Sequence, residues 1–377
     1  MKKVVVGLSG GVDSSVSLYL LQQAGYNVEG LFMRNWDSQL NNDILGNKAI
    51  NNTICPQELD YNDAVQVSKT LQVPLHRVDF IKEYWEYVFK HFISEYEKGR
   101  TPNPDILCNK YIKFDYFLKY AINNYDADFI AMGHYAKVFY NETLKEYQLL
   151  RGVDNDKDQT YFLSQLNQQQ LSKTFFPLEN LTKKEVRAIA TAQNLSTANK
   201  KDSTGICFIG ERYFKKFLQN YIPNQIGNIV DIETDEVIGE HNGVMYYTIG
   251  QRRGLNLGGM SGPYFVAKKN VTNNILYVAK SSEEKWLYST SCTINDINWI
   301  NDLPAKEFDC TAKFRYRQKD IPVKVTVLND NKCLVQFATK VKAITPGQAA
   351  VFYQDKVCLG GGVINDFYLD NEKLCYL

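Results

Sequence analysis

The sequence has few of the residues that would indicate a secreted or a metal-binding protein. Eight of its 377 residues are cysteines and four are histidines, and no two cysteines form a C-x-x-C pair. Disulfide frameworks are typical of small, cysteine-rich secreted domains, and a structural zinc site needs closely spaced ligands, so neither is expected. No apolar run approaches the roughly 18 residues of a membrane span, and the first residues, MKKVVVGLSGGVDSS, do not resemble a signal peptide. We therefore expect a soluble, cytoplasmic protein with no membrane partner.

An excess of charge of either sign is also missing. The 43 Lys and Arg residues against 42 Asp and Glu leave a formal net charge of +1. This balance excludes histone-like coats for polyanions and acidic disordered tails, but it allows a locally basic surface. The 10 prolines and 23 glycines are too few for a low-complexity chain. Since single hydrophobic cores stop growing at about 250–300 residues, we expect two or three domains.

The first two hundred residues alternate strand and helix patterns. A short apolar run at Val4–Leu8 predicts a buried strand, a helix follows over residues 14–24, and a second strand covers residues 27–35. Asp60 is a candidate cap for the next helix, and Thr182-Lys-Lys-Glu185 is a capping box that opens a later one. Strands separated by helices predict an α/β domain with a doubly wound parallel sheet.

The pattern changes near residue 205. One more helix is predicted from Ile206 to about Tyr221, and short strands and turn-prone segments follow it. From Cys292 onward apolar residues alternate with period two, which predicts a small β-barrel or closed sandwich. The predicted domains are an α/β domain over 1–207, a small central domain over 208–284 and a C-terminal β-barrel over 285–377.

The segment Ser9-Gly-Gly-Val-Asp13-Ser14 lies between the first predicted strand and the first predicted helix. A helix N-terminus offers free backbone N–H groups, and the glycines allow an anion to approach closely. Asp13 is a candidate ligand for Mg²⁺ held against phosphates. The segment matches neither G-x-x-x-x-G-K-[ST] nor G-x-G-x-x-G, which argues against kinase-like and dinucleotide-binding proteins. A glycine turn without function is the alternative.

These residues resemble the PP-loop signature of the ATP pyrophosphatase family, whose members split ATP between the α and β phosphates to adenylate an oxygen. The resemblance implies ATP and Mg²⁺ as cofactors and an adenylating reaction. It leaves the substrate open, because the family includes amidotransferase-linked synthetases, argininosuccinate synthetase and several tRNA-modifying enzymes.

Two cysteines lie in polar loops of the same predicted domain. Asp105 and Cys108 are three residues apart, so a helical turn would place both on one face. Cys207 follows Gly205 near the predicted helix start, and helix N-termini stabilise thiolates. Each cysteine alone could be an inert buried thiol. Together they suit a sulfur relay in which one carries a persulfide and the other attacks or resolves it.

Longer blocks of the sequence extend the resemblance over about the whole chain. In order, they resemble the tRNA-specific 2-thiouridylase family, whose members replace the 2-oxygen of the wobble uridine with sulfur. The matching blocks are SGGVDSS, LFMRNWD (31–37), GRTPNPDILCNKYIKF (99–114), MGHYA (132–136), KDQTYFL (157–163), DSTGICFIG (202–210), YTIGQRRGL (247–255) and ITPGQAAVFY (344–353).

This resemblance implies a role for individual residues. Cys108 matches the nucleophile, Cys207 the persulfide carrier and Asp105 a further catalytic residue. The positions that match the ATP site are Gly7, Leu8, Ser9, Gly10, Gly11, Val12, Asp13, Ser14, Met33 and Gly133, with Asp13 also the metal ligand. The positions that match tRNA contacts are Asn103, Pro104, Asp105, His134, Lys157, Asp158, Gln159, Arg315, Tyr316 and Gln348.

The resemblance also implies partners: tRNA, which docks on the central and C-terminal domains, and a protein that supplies persulfide sulfur. A Cys108–Cys207 disulfide would form after turnover, and we expect a monomer. In Lys313–Lys319 four basic residues alternate with aromatic and polar ones, which predicts a strand with one cationic face. A solvated edge strand is the alternative for that segment.

Two other functions are compatible with parts of this pattern. One is a PP-loop ligase that adenylates its substrate without sulfur chemistry, which would not need two paired loop cysteines. The other is a non-catalytic tRNA-binding protein with a degenerate nucleotide site, against which the intact SGGVDSS segment argues. ATP–pyrophosphate exchange in the presence of tRNA distinguishes an adenylating enzyme from a binding protein.

Overall fold

A computed structural model describes residues 1–52, 54–202, 205–258, 262–282, 284–303, 305–329 and 331–374. Its helices are α1 (Val12–Gln23), α2 (Pro56–Leu71), α3 (Ile81–Tyr84), α4 (Lys90–Glu97), α5 (Pro104–Leu107), α6 (Phe117–Tyr125), α7 (Thr160–Leu163), α8 (Gln168–Ser172), α9 (Lys183–Ala192), α10 (Phe214–Leu218) and α11 (Glu284–Leu287), with π-helical segments at Trp85–Phe89 and Cys108–Tyr116 and a 3₁₀ turn at Val244–Tyr246. No helix in these ranges is long and apolar enough to cross a membrane.

The strands fall into three sheets. They are β1 (Lys3–Gly7), β2 (Asn27–Arg34), β3 (Leu75–Asp79), β4 (Phe129–Ala131), β5 (Ala136–Asn141), β6 (Glu146–Arg151), β7 (Thr174–Phe175), β8 (Gly227–Asp231), β9 (Val237–His241), β10 (Tyr264–Asn270), β11 (Ile275–Lys280), β12 (Tyr288–Trp299), β13 (Glu307–Lys313), β14 (Ile321–Asn329), β15 (Lys332–Lys342), β16 (Ala349–Gln354), β17 (Val357–Leu369) and β18 (Glu372–Lys373).

The first sheet is parallel throughout, with strand order β3-β2-β1-β4-β7. Its central strand β1 is apolar on both faces, with Val4 and Val6 packed in one hydrophobic cluster and Val5 in another. Helices α1 and α2 cover the first face, and the helices between Ile81 and Tyr125 cover the second. This confirms the predicted doubly wound parallel sheet. The carboxyl ends of β1 and β4 bring the segment after Gly7 next to Met132 and Gly133.

The capping box at Thr182 and Glu185 is confirmed at the start of α9, but two other helix predictions were wrong. Helix α2 begins at Pro56, whose missing N–H is no loss in the first turn, so Asp60 lies inside the helix and does not cap it. The helix expected from Ile206 shrinks to α10. Gly205, Phe208 and Gly210 have positive φ angles that a helix does not accept, and Ile206 pairs with Gly210 as a bridge.

The two remaining sheets form the central and C-terminal parts. The central sheet has strand order β10-β11-β8-β9, and β10 and β11 form an antiparallel hairpin. In the C-terminal part, strands β12, β15, β14, β13, β16 and β17 pair in sequence, and β17 pairs back onto β12, so the predicted barrel is confirmed as a closed one. Strand β6 of the first domain also pairs with β17, through Leu149 and Cys358.

The segment Lys313–Lys319 is not a strand, which corrects the expected cationic strand face. Strand β13 ends at Lys313, and the backbone N–H of Phe314 donates to Gln318 Oε1 at 2.8 Å. Phe314 is 2% exposed, so an aromatic side chain of the segment is anchored in the core. Lys313 therefore ends a strand, and Arg315, Arg317 and Lys319 are exposed in the turn segment that follows it.

Closure of the barrel depends on a glycine. Gly360 pairs with Trp299 across β17 and β12, and its φ angle is +127°. A Cβ at this position would lie 2.0 Å from the backbone oxygen of Asn298. No side chain fits there without opening the β12–β17 ladder.

We predict that Gly360→Ala destabilises the barrel. The backbone strain alone costs about 1–3 kcal/mol, and the clash with the Asn298 carbonyl adds to it. Differential scanning calorimetry should show a lower melting temperature. Gly258→Ala is the matched control, because a Cβ there meets no atom of the described residues within 4 Å, and its melting temperature should stay that of the wild type. Equal melting of both variants would contradict the role of Gly360 in closure.

Candidate active site

The loop after β1 is shaped to receive an anion. Gly10 has a φ of +73°, and a Cβ on it would lie 2.0 Å from the backbone oxygen of Asp60, so a glycine is required for the loop to pack on α2. Gly11 is the N-cap of α1 and has no side chain to occupy the first N–H groups of that helix. The Ser9 and Ser14 hydroxyl groups lie 3.1 Å apart at the same edge. This helix start therefore presents N–H and hydroxyl donors together, which is the geometry of a phosphate site.

Lys200 ties this loop to helix α2. Its ammonium donates to the Gly10 carbonyl at 2.9 Å, to Asp60 Oδ1 at 2.7 Å and to Asp63 Oδ2 at 2.5 Å. Asp60, which is not a helix cap, thus supports the loop both through its carboxylate and through its backbone.

A network of ion pairs connects Asp13 to residues outside the loop. Both Asp13 carboxylate oxygens accept hydrogen bonds from Lys183 at 2.8 Å, and the Tyr135 hydroxyl donates to Asp13 Oδ1 at 2.8 Å. Lys183 also contacts Asp202 at 2.8 Å. Burial opposes ionisation of Asp202, but hydrogen bonds from Lys157 and Lys183 lower its pKa to about 2. Asp202 is therefore a permanent anion five residues before Cys207.

The other predicted nucleotide residues line the floor of this loop. A Cβ on Gly133 would lie 2.9 Å from the backbone N of Ser14, so the end of β4 is in close contact with the start of α1. Met33 is 7% exposed in the core beneath, and a Cβ on Gly7 would lie 3.7 Å from its methyl group. The side chains of Leu8 and Val12 are also buried in the core.

The two predicted thiols meet at the other end of the site. Cys108 Sγ lies 3.7 Å from Cys207 Sγ, in hydrogen-bonding contact, although 99 residues separate them. Cys108 is fully buried at the junction of α5 with a π-helical segment, and Cys207 lies in the turn bridged by Ile206 and Gly210. The remaining described cysteines are also unpaired, and Cys375 lies outside the described residues.

Backbone contacts hold Cys207 in place. Its N–H donates to Asp105 Oδ1 at 3.0 Å, and its carbonyl accepts from the Tyr84 hydroxyl at 2.8 Å. Asn103 caps the short helix α5 by accepting from the Asp105 N–H at 3.2 Å. Burial raises the pKa of Asp105 above its usual range. The structure thus brings Asn103, Pro104, Asp105, Cys108 and Cys207 into one cluster.

The two thiols differ in their ease of ionisation. Burial raises the pKa of Cys108 well above its ordinary value. The hydrogen bond from Cys108 lowers the pKa of Cys207, and the nearby charge of Lys113 acts in the same direction. The pair therefore favours a Cys207 thiolate that accepts a hydrogen bond from the Cys108 thiol. The sequence had suggested that a helix N-terminus lowers the pKa of Cys207. In the structure Cys108 and Lys113 lower it instead.

The predicted tRNA contacts divide into two groups. Gln159 accepts from the Tyr135 N–H at 3.0 Å and Lys157 pairs with Asp202, so these two lie near the nucleotide loop. Asp158 is buried on the hydroxyl of Thr160, which also contacts Tyr353 of the barrel. His134 is 8% exposed, with its ring between Phe114 and Phe176. Burial, reinforced by Lys113, keeps the pKa of His134 well below its usual range, so its imidazole is neutral.

The second group lies at the junction of the domains. Gln348 Nε2 donates to the Thr101 carbonyl at 2.9 Å, next to the loop that carries Asn103. Arg315 Nη2 donates to the carbonyl groups of Ile249 and Ala343 at 3.0 Å, so its guanidinium holds the central part against the barrel. Tyr316 packs on Phe162 with 4.4 Å between ring centroids.

The residues present fit ATP, because the start of α1 after Gly11 and the Ser9 and Ser14 hydroxyl groups supply donors for phosphate. For Mg²⁺ the structure offers fewer candidate ligands. Among the described residues no three His, Cys, Asp or Glu side chains are grouped to hold a metal. One carboxylate with phosphate oxygens is a common Mg²⁺ environment, and Asp13 offers that carboxylate.

Models of known protein families match three successive parts of the chain. A family model described as the tRNA methyl transferase HUP domain matches residues 2–211, one described as the tRNA methyl transferase PRC-barrel domain matches residues 215–280, and one described as the aminomethyltransferase beta-barrel domain matches residues 289–364.

Curated relatives match over nearly their full length. The chain is 67% identical to the tRNA-specific 2-thiouridylase MnmA of Mycoplasma capricolum over 97% of this chain and 98% of that protein. It is 63% identical to the protein of the same name from Mesoplasma florum over 97% of this chain and 99% of that protein. For that of Mycoplasmopsis synoviae the identity is 60%, over 100% of this chain and 99% of that protein.

We predict that Lys200→Met weakens ATP binding. Hydrogen bonds to charged groups contribute about 1.5–3 kcal/mol, so loss of the tether should raise the dissociation constant of ATP about tenfold or more. Isothermal titration calorimetry measures the change. Lys201→Met is the matched control, since this exposed neighbour does not contact the loop in the structure, and it should bind ATP as the wild type does. An unchanged affinity in Lys200→Met would mean that the loop keeps its shape without the tether.

Proposed function

The chain belongs to the tRNA-specific 2-thiouridylase family, and we propose that this tRNA sulfurtransferase exchanges the 2-oxygen of the wobble uridine for sulfur through an adenylated uridine and a cysteine persulfide. The observation that carries the proposal is the contact of two thiols with opposite pKa shifts, 3.7 Å apart, at the end of the site opposite the phosphate loop. A PP-loop ligase without sulfur chemistry has no use for such a pair.

ATP supplies the adenylate that converts the poor 2-oxygen leaving group of uridine into AMP. In this step the loop of Ser9–Ser14 holds the phosphates through its N–H and hydroxyl groups. Asp13 would contribute to Mg²⁺ bound on those phosphates, and Lys183 would then share its charge between Asp13, Asp202 and the phosphates. Asp105, buried beside Cys207, faces the target base together with Asn103 and Pro104.

The sulfur step balances with two thiols and one persulfide. The Cys207 thiolate attacks the outer sulfur of a donor persulfide, forming Cys207–S–SH and releasing the donor thiolate. After loss of a proton, the outer sulfur attacks C2 of the uridine and AMP leaves. The Cys108 thiolate then attacks Cys207 Sγ. The bond to the transferred sulfur breaks, the electron pair stays on the thiouridine, and a Cys108–Cys207 disulfide remains for an external thiol to reduce.

We propose that tRNA docks on the central domain and the barrel, with domain limits at 207 and 284. Chemistry on a base edge needs the nucleotide out of the stack and in a pocket, which calls for extensive contacts around it. The basic turn of Lys313–Lys319 supplies local positive charge for the RNA backbone. Arg315 also holds the two domains together, so its replacement would affect docking through the domain junction as well as through charge.

We predict that Asp13→Ala folds normally but loses adenylation. Removal of a preorganised charge from a phosphate site costs about a hundredfold or more in rate. Asp13→Asn, which can still accept from Tyr135 but carries no charge, should lose as much. Pyrophosphate release with ATP and unmodified tRNA measures the step, and Glu86→Ala, an exposed site paired with Lys90, serves as control. Near-normal pyrophosphate release in both Asp13 variants would exclude this use of the loop.

We predict different fates for the two cysteine variants. Cys207→Ser should take no labelled sulfur from a persulfide donor, whereas Cys108→Ser should take it and then stall before release of the thiouridine. In one turnover of the wild type without reductant, the two sulfurs should close from 3.7 Å to a bond of about 2.05 Å, seen by peptide mapping as a Cys108–Cys207 bridge.

Cys55→Ser is the control for this experiment, because Cys55 is exposed at the N-cap of α2 and serine suits that position. Mass spectrometry of tRNA nucleosides measures 2-thiouridine in each case. If either Cys108→Ser or Cys207→Ser thiolated tRNA at the wild-type rate, the relay would be wrong.

A further inference from the structure

Lys113 lies beside both thiols although it is five residues from Cys108 in the chain. In an α-helix, residues five apart point to different sides, but Cys108–Tyr116 is a π-helical segment with i→i+5 hydrogen bonds. This winding stacks Lys113 above Cys108. The Lys113 ammonium also lies 5.6 Å from the ring centroid of Phe208, the residue after Cys207. The lysine therefore reaches both the helix that carries one thiol and the turn that carries the other.

Among the residues that the structure describes, Lys113 is the cation that acts on both sulfurs. The other titratable groups that face the pair are Asp105 and Tyr84, and His134 lies next to Lys113. Burial keeps the imidazole of His134 and the phenol of Tyr84 uncharged, and it raises the pKa of Asp105. Burial alone would lower the pKa of Lys113, but the charges of Cys207, Cys108 and Asp105 raise it, so the ammonium persists.

We propose that Lys113 is a catalytic residue that holds the sulfur of Cys207 in its anionic form, so that Cys207 rather than Cys108 takes sulfur from the donor. The proposal rests on the proposed function, whose first sulfur step it explains. A thiolate is the attacking species. Lys113 acts on both sulfurs, but burial keeps the proton on Cys108, so the anion that the ammonium stabilises is that of Cys207. Once Cys207 carries the extra sulfur, the same ammonium lies next to the persulfide anion and next to Cys108, whose thiolate is needed last.

The test compares Lys113→Met with Lys113→Arg. An opposite charge within about 4–6 Å lowers an acid's pKa by about one to three units, so its removal should slow iodoacetamide alkylation of Cys207 at pH 7.5 by about tenfold or more. The rise of the alkylation rate with pH should move to higher pH in Lys113→Met and stay near that of the wild type in Lys113→Arg. Peptide mapping by mass spectrometry separates Cys207 from the other thiols.

Lys110→Met is the matched control. Lys110 lies on the same π-helical segment but donates to Gln165 Oε1 at 3.0 Å, and its loss should leave the profile unchanged. Melting temperatures verify that all three variants fold. A wild-type pH profile for Cys207 in folded Lys113→Met would overturn the proposal. Labelled-sulfur uptake by the wild type is measured in parallel: its absence would overturn the proposed function whatever the alkylation profiles are.

Discussion

The contact between Cys108 and Cys207 is the constraint on which the active-site architecture depends. A buried and a half-buried cysteine from distant parts of the chain keep their sulfurs 3.7 Å apart only if a rigid element carries one and several contacts hold the other. The first condition is met by the continuous helical segment from Pro104 to Tyr125. The second is met by Asp105, which accepts from the Cys207 N–H, and by Tyr84, which donates to its carbonyl. The thiol that we propose accepts donor sulfur is thus on a turn, and the thiol that we propose acts last is in the core.

The same turn is connected to the nucleotide loop by the residues just before it. Lys200 binds the Gly10 carbonyl, and Asp202 binds Lys183, which holds Asp13. A single stretch of chain therefore touches the phosphate loop at one end and the sulfur pair at the other. Any shift of Lys183 toward bound phosphate changes the charge around Asp202, five residues from Cys207. In the proposed function, the activation and sulfur steps share this stretch.

The sequence predicted the parts of this site that depend on local rules, and it missed those that depend on tertiary packing. The strand–loop–helix around Gly10 follows from strand pattern and glycine placement, and the pairing of the two thiols was expected from loop chemistry and family resemblance. Lys113 was missed because α-helical spacing places it away from Cys108, and a π-helical segment has no signature in residue pattern. The predicted cationic strand was wrong because β13 ends at Lys313 and the chain then turns, with the Phe314 N–H donating to Gln318 Oε1.

The β domains reach the sulfur pair through one loop, and this contact explains their place in the molecule. Thr101 donates its N–H to the Pro346 carbonyl at 2.9 Å, and Arg100 donates to the Ile364 carbonyl at 3.0 Å, both in the barrel. From the central sheet, the buried Lys269 donates to the Gly99 carbonyl at 2.6 Å. The loop between Gly99 and Thr101 leads directly into the helix that carries Asp105 and Cys108. A substrate held on either β domain is therefore positioned relative to the sulfur pair through these hydrogen bonds, not through a flexible linker. The accuracy of that positioning depends on the same short loop that presents Asn103.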